Sequence, residues 1–157
     1  MLVSLALLGA QAASAPAPAP APPPAADWRL VSLADDTLVF VDKSSVRPDG
    51  GRVAYTAWTF YKEASAHGDN YRLVLSADCA ARTTRTLGLT FYRGDAVSGR
   101  AGPDPEERAV EPGSLGADLL LYACGTSGRE ETPTIADPAA AVRRFWSARP
   151  QGAGAGE

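Results

Sequence analysis

The sequence has little from which a metal or redox site can be built. Its 157 residues include one histidine and two cysteines, too few for a four-ligand zinc site unless carboxylates contribute. It has no C-x-x-C spacing, no phosphate-binding glycine loop and no dinucleotide fingerprint. We therefore expect neither a metal nor a cofactor.

Long apolar runs and an excess of positive charge are also missing. The longest apolar run, residues 2–10, is well short of the roughly 18–20 residues that a membrane-spanning helix needs. The chain has 15 lysines and arginines against 18 acidic residues, a formal net charge of −3. This balance argues against a general nucleic-acid binder. The length fits one domain with short appendages.

The N-terminal residues are typical of an export signal followed by a spacer. The apolar run precedes a small-x-small pattern at residues 13–15, so we expect residues 1–15 to be a signal peptide that is cleaved after Ala15. The prolines of residues 16–26 favour an extended polyproline II linker. Because no cysteine lies near the expected cut, no lipid anchor is evident. The mature protein is expected in the periplasm or at the cell surface.

The middle of the chain has the alternation and turn signals of an antiparallel sheet. The predicted strands occupy residues 28–32, 37–41, 53–62, 71–79 and 83–93. Polar residues 42–45 are predicted to break the sheet after the second of these strands. Because no helical pattern comes between the strands, we expect antiparallel pairing. The predicted fold class is α+β, with about six antiparallel strands and a helix packed on them.

Two helices are predicted after the strands. Ser114 follows a Pro-Gly turn and is a good N-cap, since its hydroxyl can accept a hydrogen bond from a first-turn N–H. Gly125 is placed to end this helix. The apolar stripe predicted to face the sheet consists of Leu115, Leu119, Leu120, Leu121 and Cys124. A second, short helix is predicted from Asp137 to Trp146, within a C-terminal extension (residues 126–157) that ends in a disordered tail.

The two cysteines favour a structural disulfide. Cys79 ends a predicted strand and Cys124 ends the predicted helix. In an exported protein an even cysteine count favours a disulfide, and with two cysteines the pairing is forced. Free thiols and a redox pair stay open as alternatives. The redox pair would lack an adjacent histidine to activate a thiolate.

No pattern in the sequence predicts catalysis. The only histidine, His67, lies in a polar loop, and Ser114 lies in a sequence without the G-x-S-x-G spacing of a hydrolase. We therefore expect the chain not to be an enzyme. Five arginines fall on or beside neighbouring predicted strands and are candidates for a cationic face that binds an acidic or sulfated partner. They are Arg72, Arg82, Arg85, Arg93 and Arg100. A merely solvated sheet face is the alternative.

An ordered set of residues resembles the bacterial surface-adhesin E family. The set comprises Trp28, Trp58, Asp78-Cys79, an Arg/Thr-rich strand to Tyr92, Gly94, Pro112-Gly113-Ser114 and Cys124. The resemblance covers residues 27–125. It implies an antiparallel sheet tied to a C-terminal helix by a disulfide that matches Cys79 and Cys124. It also implies adhesion to host matrix proteins such as laminin and vitronectin, and it leaves room for homodimers.

The predicted function is an exported, non-enzymatic protein-binding module of the surface-adhesin E type. The alternative is a periplasmic structural or accessory protein of the envelope with the same fold. This sequence departs from the family pattern in having no lipidation cysteine and only two lysines. The expected partner is a protein of unknown identity and not a nucleic acid, and no transmembrane segment is expected.

Overall fold

The computed structural model describes residues 25–125 and 132–149. Within these residues the elements are β1 (Trp28–Leu33), β2 (Thr37–Asp49), β3 (Arg52–Tyr61), β4 (Asn70–Asp78), β5 (Thr83–Arg93), β6 (Ala96–Ala101), β7 (Arg108–Ala109), α1 (Leu115–Ala123), β8 (Thr134–Ile135) and α2 (Pro138–Ala148). The expected signal peptide, most of the expected linker and the C-terminal tail lie outside the described residues.

The strands form one antiparallel sheet, which confirms the predicted α+β fold. The strand order is β6-β5-β4-β3-β2-β1-β8, and β7 pairs with β5 beyond the end of β6. Six strands are long enough to carry an alternating pattern, in agreement with the prediction of about six. The other two, β7 and β8, have two residues each, too few to show a period in the sequence.

The predicted break after the second strand is wrong. Strand β2 continues to Asp49, and its register against β3 shifts between Asp42 and Arg47. The hydroxyl of Ser45 donates to the Asp42 carbonyl at 2.6 Å and accepts from the Thr56 N–H at 2.8 Å. These side-chain bonds replace ladder bonds that the irregularity removes. The polar residues therefore mark a distortion within a strand and not its end.

The sheet has an apolar core on each face, and each core lies under one helix. Because side chains alternate along a strand, neighbouring residues contribute to opposite cores. On the face covered by α1 (the α1 face), the buried sheet residues are Val39, Val41, Tyr55, Ala57, Leu75 and Ala77. On the face covered by α2 (the α2 face), they are Trp28, Leu38, Phe40 and Phe60. The inner strands β2 and β3 are thus buried on both sides.

Helix α1 begins at the predicted cap. The hydroxyl of Ser114 accepts a hydrogen bond from the Ala117 N–H at 3.2 Å. Leu119 and Leu120 are buried against the sheet, in agreement with the predicted stripe. Leu115 and Leu121, which were placed in the same stripe, are instead 37% and 40% exposed. The helix has only nine residues, so its buried face is narrower than the run of leucines in the sequence.

The C-terminal extension contributes to the sheet and to the core of the α2 face. Strand β8 pairs with β1 at its free edge, and Val142 of α2 is buried against the sheet. The Arg29 guanidinium donates to the Asp27 carboxylate and to the Thr132 carbonyl. The hydrogen bond from Arg29 lowers the pKa of the Asp27 carboxyl. Residues 132–149 are therefore part of the folded unit.

The predicted disulfide is confirmed. Cys79, just after β4, is bonded to Cys124, the C-cap residue of α1, and their Cα atoms are 5.8 Å apart. The bond ties the end of the helix to the sheet across 45 residues of sequence. A closed loop of that length stabilises the folded state by about 4 kcal/mol in the chain-entropy model.

Removing the disulfide is expected to destabilise the domain strongly. The double variant Cys79→Ala/Cys124→Ala should lose about 4 kcal/mol of unfolding free energy, because the unfolded chain regains the entropy of an open loop. Urea unfolding followed by circular dichroism measures this loss. Reducing the wild-type protein should give the same shift of the midpoint, and an unchanged midpoint in both experiments would contradict a stabilising role.

Candidate functional site

The two helices leave the outer strands of the sheet uncovered. Helix α1 packs mainly on β1, β2 and β3, and α2 packs on the core that contains Trp28 and Phe40. Along β5 every residue except the last is partly exposed, and β6 is mostly exposed. The side chains of β4, β5 and β6 are therefore the ones that this fold can present to a partner.

On the α2 face, one arginine stacks on a cluster of aromatic rings. The guanidinium carbon of Arg72 lies 3.7 Å from the centroid of the Trp58 ring, and 5.6 and 5.5 Å from those of Trp28 and Tyr92. Arg72 and Trp58 are directly paired across β4 and β3, a position where side chains meet. The arginine thus covers the part of the aromatic core that α2 leaves exposed.

The five arginines of the predicted cationic face do not form one surface. Arg85 is paired with Ser76, past the register shift between β4 and β5. Its side chain lies on the α2 face, as that of Arg72 does. Arg82 lies in the turn before β5, with φ of +54°. Arg93 directly follows Tyr92, whose side chain lies on the α2 face, so the side chain of Arg93 lies on the α1 face. Its guanidinium donates to loop carbonyls at Ser65 and Ala66.

Two further arginines belong to the same face as Arg72 and Arg85: Arg100, which was also predicted for the cationic face, and Arg52, which the prediction missed. Arg100 of β6 is paired with Thr90 of β5, in the row of Arg72. Arg52 of β3 donates to the Ser76 hydroxyl at 2.9 Å and forms an ion pair with Glu107. The register that aligns them across four strands is not contained in any single stretch of sequence.

On the α1 face, beyond the end of α1, aromatic side chains line an open cleft. The ring centroids of Tyr61 and Tyr71 are 5.7 Å apart, and those of Tyr71 and Phe91 are 6.2 Å apart. The imidazole of His67 lies 5.2 Å from Phe91. The cleft, which we call the aromatic cleft, has a volume of about 380 Å³. Its lining residues are Tyr61, Glu63, Ser65, His67, Gly68, Asn70, Tyr71 and Phe91.

The two tyrosines of the aromatic cleft are linked through their hydroxyl groups. The oxygen atoms of Tyr61 and Tyr71 are 3.3 Å apart. Burial raises the pKa of the Tyr61 hydroxyl, and the hydrogen bond to Tyr71 and the nearby charge of Asp36 raise it further. Tyr61 is therefore held in its neutral form, with a carboxylate close by.

The side chains considered for catalysis have structural partners. The Ser114 hydroxyl donates to the Glu111 carbonyl at 2.7 Å while it caps α1. The His67 ring packs on Phe91. In residues 25–125 and 132–149 no group of three or more histidine, cysteine or acidic side chains is arranged to hold a metal ion. No helix in those ranges is long and apolar enough to cross a membrane.

The stacked arginine is expected to stabilise the domain. Replacing Arg72 by alanine should lower the free energy of unfolding by about 1–2 kcal/mol, because Trp58 loses both the cation–π contact and its cover. Urea unfolding monitored by tryptophan fluorescence measures the change. Arg144→Ala, at an exposed position of α2, is the matched control and should change stability by less than about 0.5 kcal/mol. Equal stability of the two variants would contradict this role.

Comparison with known proteins places the fold in a family. The family model described as surface-adhesin protein E matches residues 28–125. Among solved structures, crystal form II of Haemophilus influenzae protein E is similar at 17% sequence identity, with a TM-score of 0.49, over 68% of this chain and 95% of that chain. No curated protein sequence matches the chain. Since the matched residues make up more than half of the sequence, the chain belongs to the surface-adhesin protein E family.

Proposed function

We propose that this protein is an exported adhesin-type module that binds an acidic surface of a protein partner through the uncovered part of its α2 face. Family membership points to a non-enzymatic adhesin. The observation that carries the proposal is a group of arginines on β4, β5 and β6 that form no ion pair with a described carboxylate. Adhesion to matrix proteins fits the family and is the specific form of this function that we propose.

The charge of this surface comes from three arginines. Arg52 is neutralised by Glu107, whereas no described carboxylate forms an ion pair with Arg72, Arg85 or Arg100. The Nε atoms of Arg72 and Arg85 are buried, and no described atom accepts a hydrogen bond from them. A partner that supplies carboxylates would give these guanidinium groups charge-assisted hydrogen bonds. It would also be attracted over a distance by the positive potential.

The shape of the surface suits a broad contact. Val74 is 36% exposed in β4, and its pairing partner in β5 is Gly88, which has open space where a side chain would stand. This pair lies between the row of Arg72 and the position of Arg85. The centre of the arginine surface is therefore flat and apolar, with charge on both sides of it, as in many protein interfaces.

Binding to immobilised laminin and vitronectin tests the matrix-adhesion form of the proposal. We expect saturable binding of the full chain that weakens as salt is raised. The variant Arg85→Gln/Arg100→Gln should bind about tenfold more weakly, because it removes two unpaired charges of the surface. The matched control Arg143→Gln/Arg144→Gln removes two exposed charges from α2 and should bind like the wild type.

Two outcomes would overturn this proposal. Equal affinity of the two double variants would show that the arginine surface is not the contact. The absence of saturable binding to either matrix protein would exclude adhesion to them. Circular dichroism of each variant before the assay separates a lost contact from a lost fold.

Exposure on intact cells decides between the adhesin and the periplasmic alternative. We expect external protease to cleave this protein while a periplasmic marker survives. Protection until the outer membrane is opened would instead support a structural or accessory role in the envelope. Crosslinking to neighbouring envelope proteins would then identify the partner.

A further inference from the structure

We propose that the aromatic cleft on the α1 face is a second binding site, which takes one cationic side chain, an arginine or a lysine, of a protein partner. This site is separate from the arginine surface. Tyr71 and Arg72 are neighbours in β4 and contribute to opposite faces of the sheet. The two sites therefore prefer partner groups of opposite charge.

The arrangement of rings suits a cation. Tyr61, Tyr71 and Phe91 come from three adjacent strands and stand side by side, with tilted or edge-on contacts between neighbours. An aromatic ring has a negative face, and several rings around one space attract a positive group more strongly than an isolated ring does. All three rings are partly exposed, so a side chain from outside can reach them.

Carboxylates lie at the rim of the cleft. Glu63 is one of the lining residues, and it also borders an adjoining depression together with Asp35 and Asp36. Asp36 is close enough for its charge to raise the pKa of the Tyr61 hydroxyl. An arginine or lysine seated on the rings would therefore have acidic groups beside its charged end, which adds attraction at the mouth of the cleft.

The basic side chains near the cleft do not occupy the position that a cationic partner group would take. Among the described residues that line the cleft there is no lysine or arginine, and His67 is the one basic residue. Lys62 borders the adjoining depression and a pocket beside α2 instead. Arg93 is turned to the loop, where its guanidinium donates to the Ser65 and Ala66 carbonyls. The described groups that line the cleft are thus aromatic rings, neutral polar groups and the Glu63 carboxylate.

The size of the cleft favours one side chain as the guest. Its volume of about 380 Å³ is at the lower end of the range for small-molecule pockets. The rings offer apolar surface to the methylene groups of a long basic side chain, while the charged end reaches the rim. A bulky neutral ligand would gain the apolar contact but not the attraction to Glu63.

Arginine and its neutral isostere citrulline provide a direct test. The probes are the capped peptides acetyl-Gly-Gly-Arg-Gly-Gly-amide and its citrulline counterpart. Each is titrated into the full chain while the aromatic NMR signals of tyrosine and phenylalanine are followed. We expect the arginine peptide to bind about tenfold more tightly than the citrulline peptide. The shifts should be largest for Tyr61, Tyr71 and Phe91.

Variants locate the site and separate the rings from the charge. Tyr71→Leu should lose the preference for arginine, whereas Tyr71→Phe keeps the ring and should retain most of it. Glu63→Gln should weaken the arginine peptide about threefold and leave the citrulline peptide unchanged. Glu106→Gln is the matched control, because it removes an exposed carboxylate far along the chain from the cleft residues, and it should have no effect.

Equal binding of the two peptides would overturn the proposal, as would shifts confined to residues of the α2 face or the absence of any saturable shift. The result does not depend on the matrix-binding assay. Variants of the arginine surface leave the cleft residues intact, and Tyr71→Leu and Glu63→Gln leave Arg85 and Arg100 in place. The two proposals can therefore fail separately.

Discussion

The two helices of this fold are too short to cover both faces of its wide sheet. Seven strands lie side by side, which makes the sheet about 29 Å wide. The helices have nine and eleven residues, or about 14 and 17 Å of length. Both helices therefore cover the part of the sheet formed by β1, β2 and β3, and they leave β5 and β6 at one edge exposed to water. The composition of the two uncovered regions follows from this mismatch.

The uncovered regions are filled by side chains that have an apolar body and a polar end. On the α2 face, Arg72 lays its guanidinium over Trp58 and still carries a charge that a partner can meet. On the α1 face, Tyr61 and Tyr71 share a hydroxyl contact above partly buried rings. Such residues cover apolar surface with polar ends, and they provide the large, stiff contact surfaces that protein binding uses.

Local patterns predicted most of the fold, because each long strand and each helix carries its own signal. Alternation of apolar and polar residues located β4 and β5. The predicted N-cap at Ser114 located the start of α1, and the two cysteines predicted the disulfide that bonds α1 to the sheet. The sites were harder to predict because they depend on register. Arg100 joins Arg72 only through pairing across β5. The rings of the aromatic cleft come from three strands, and each had the pattern of a core residue. Small changes in pairing would have moved them to the other face.

The disulfide also determines how the domain responds to mechanical load. Cys79 and Cys124 enclose β5, β6, β7 and α1 in one covalent ring. Tension applied between the two ends of the chain passes directly from the end of β4 to the end of α1, through the sulfur atoms. The loop that the disulfide closes, which contains Arg85, Arg100 and Phe91, does not carry that force. Under shear, the strands that carry these contact residues are the ones that stretching of the chain does not unravel.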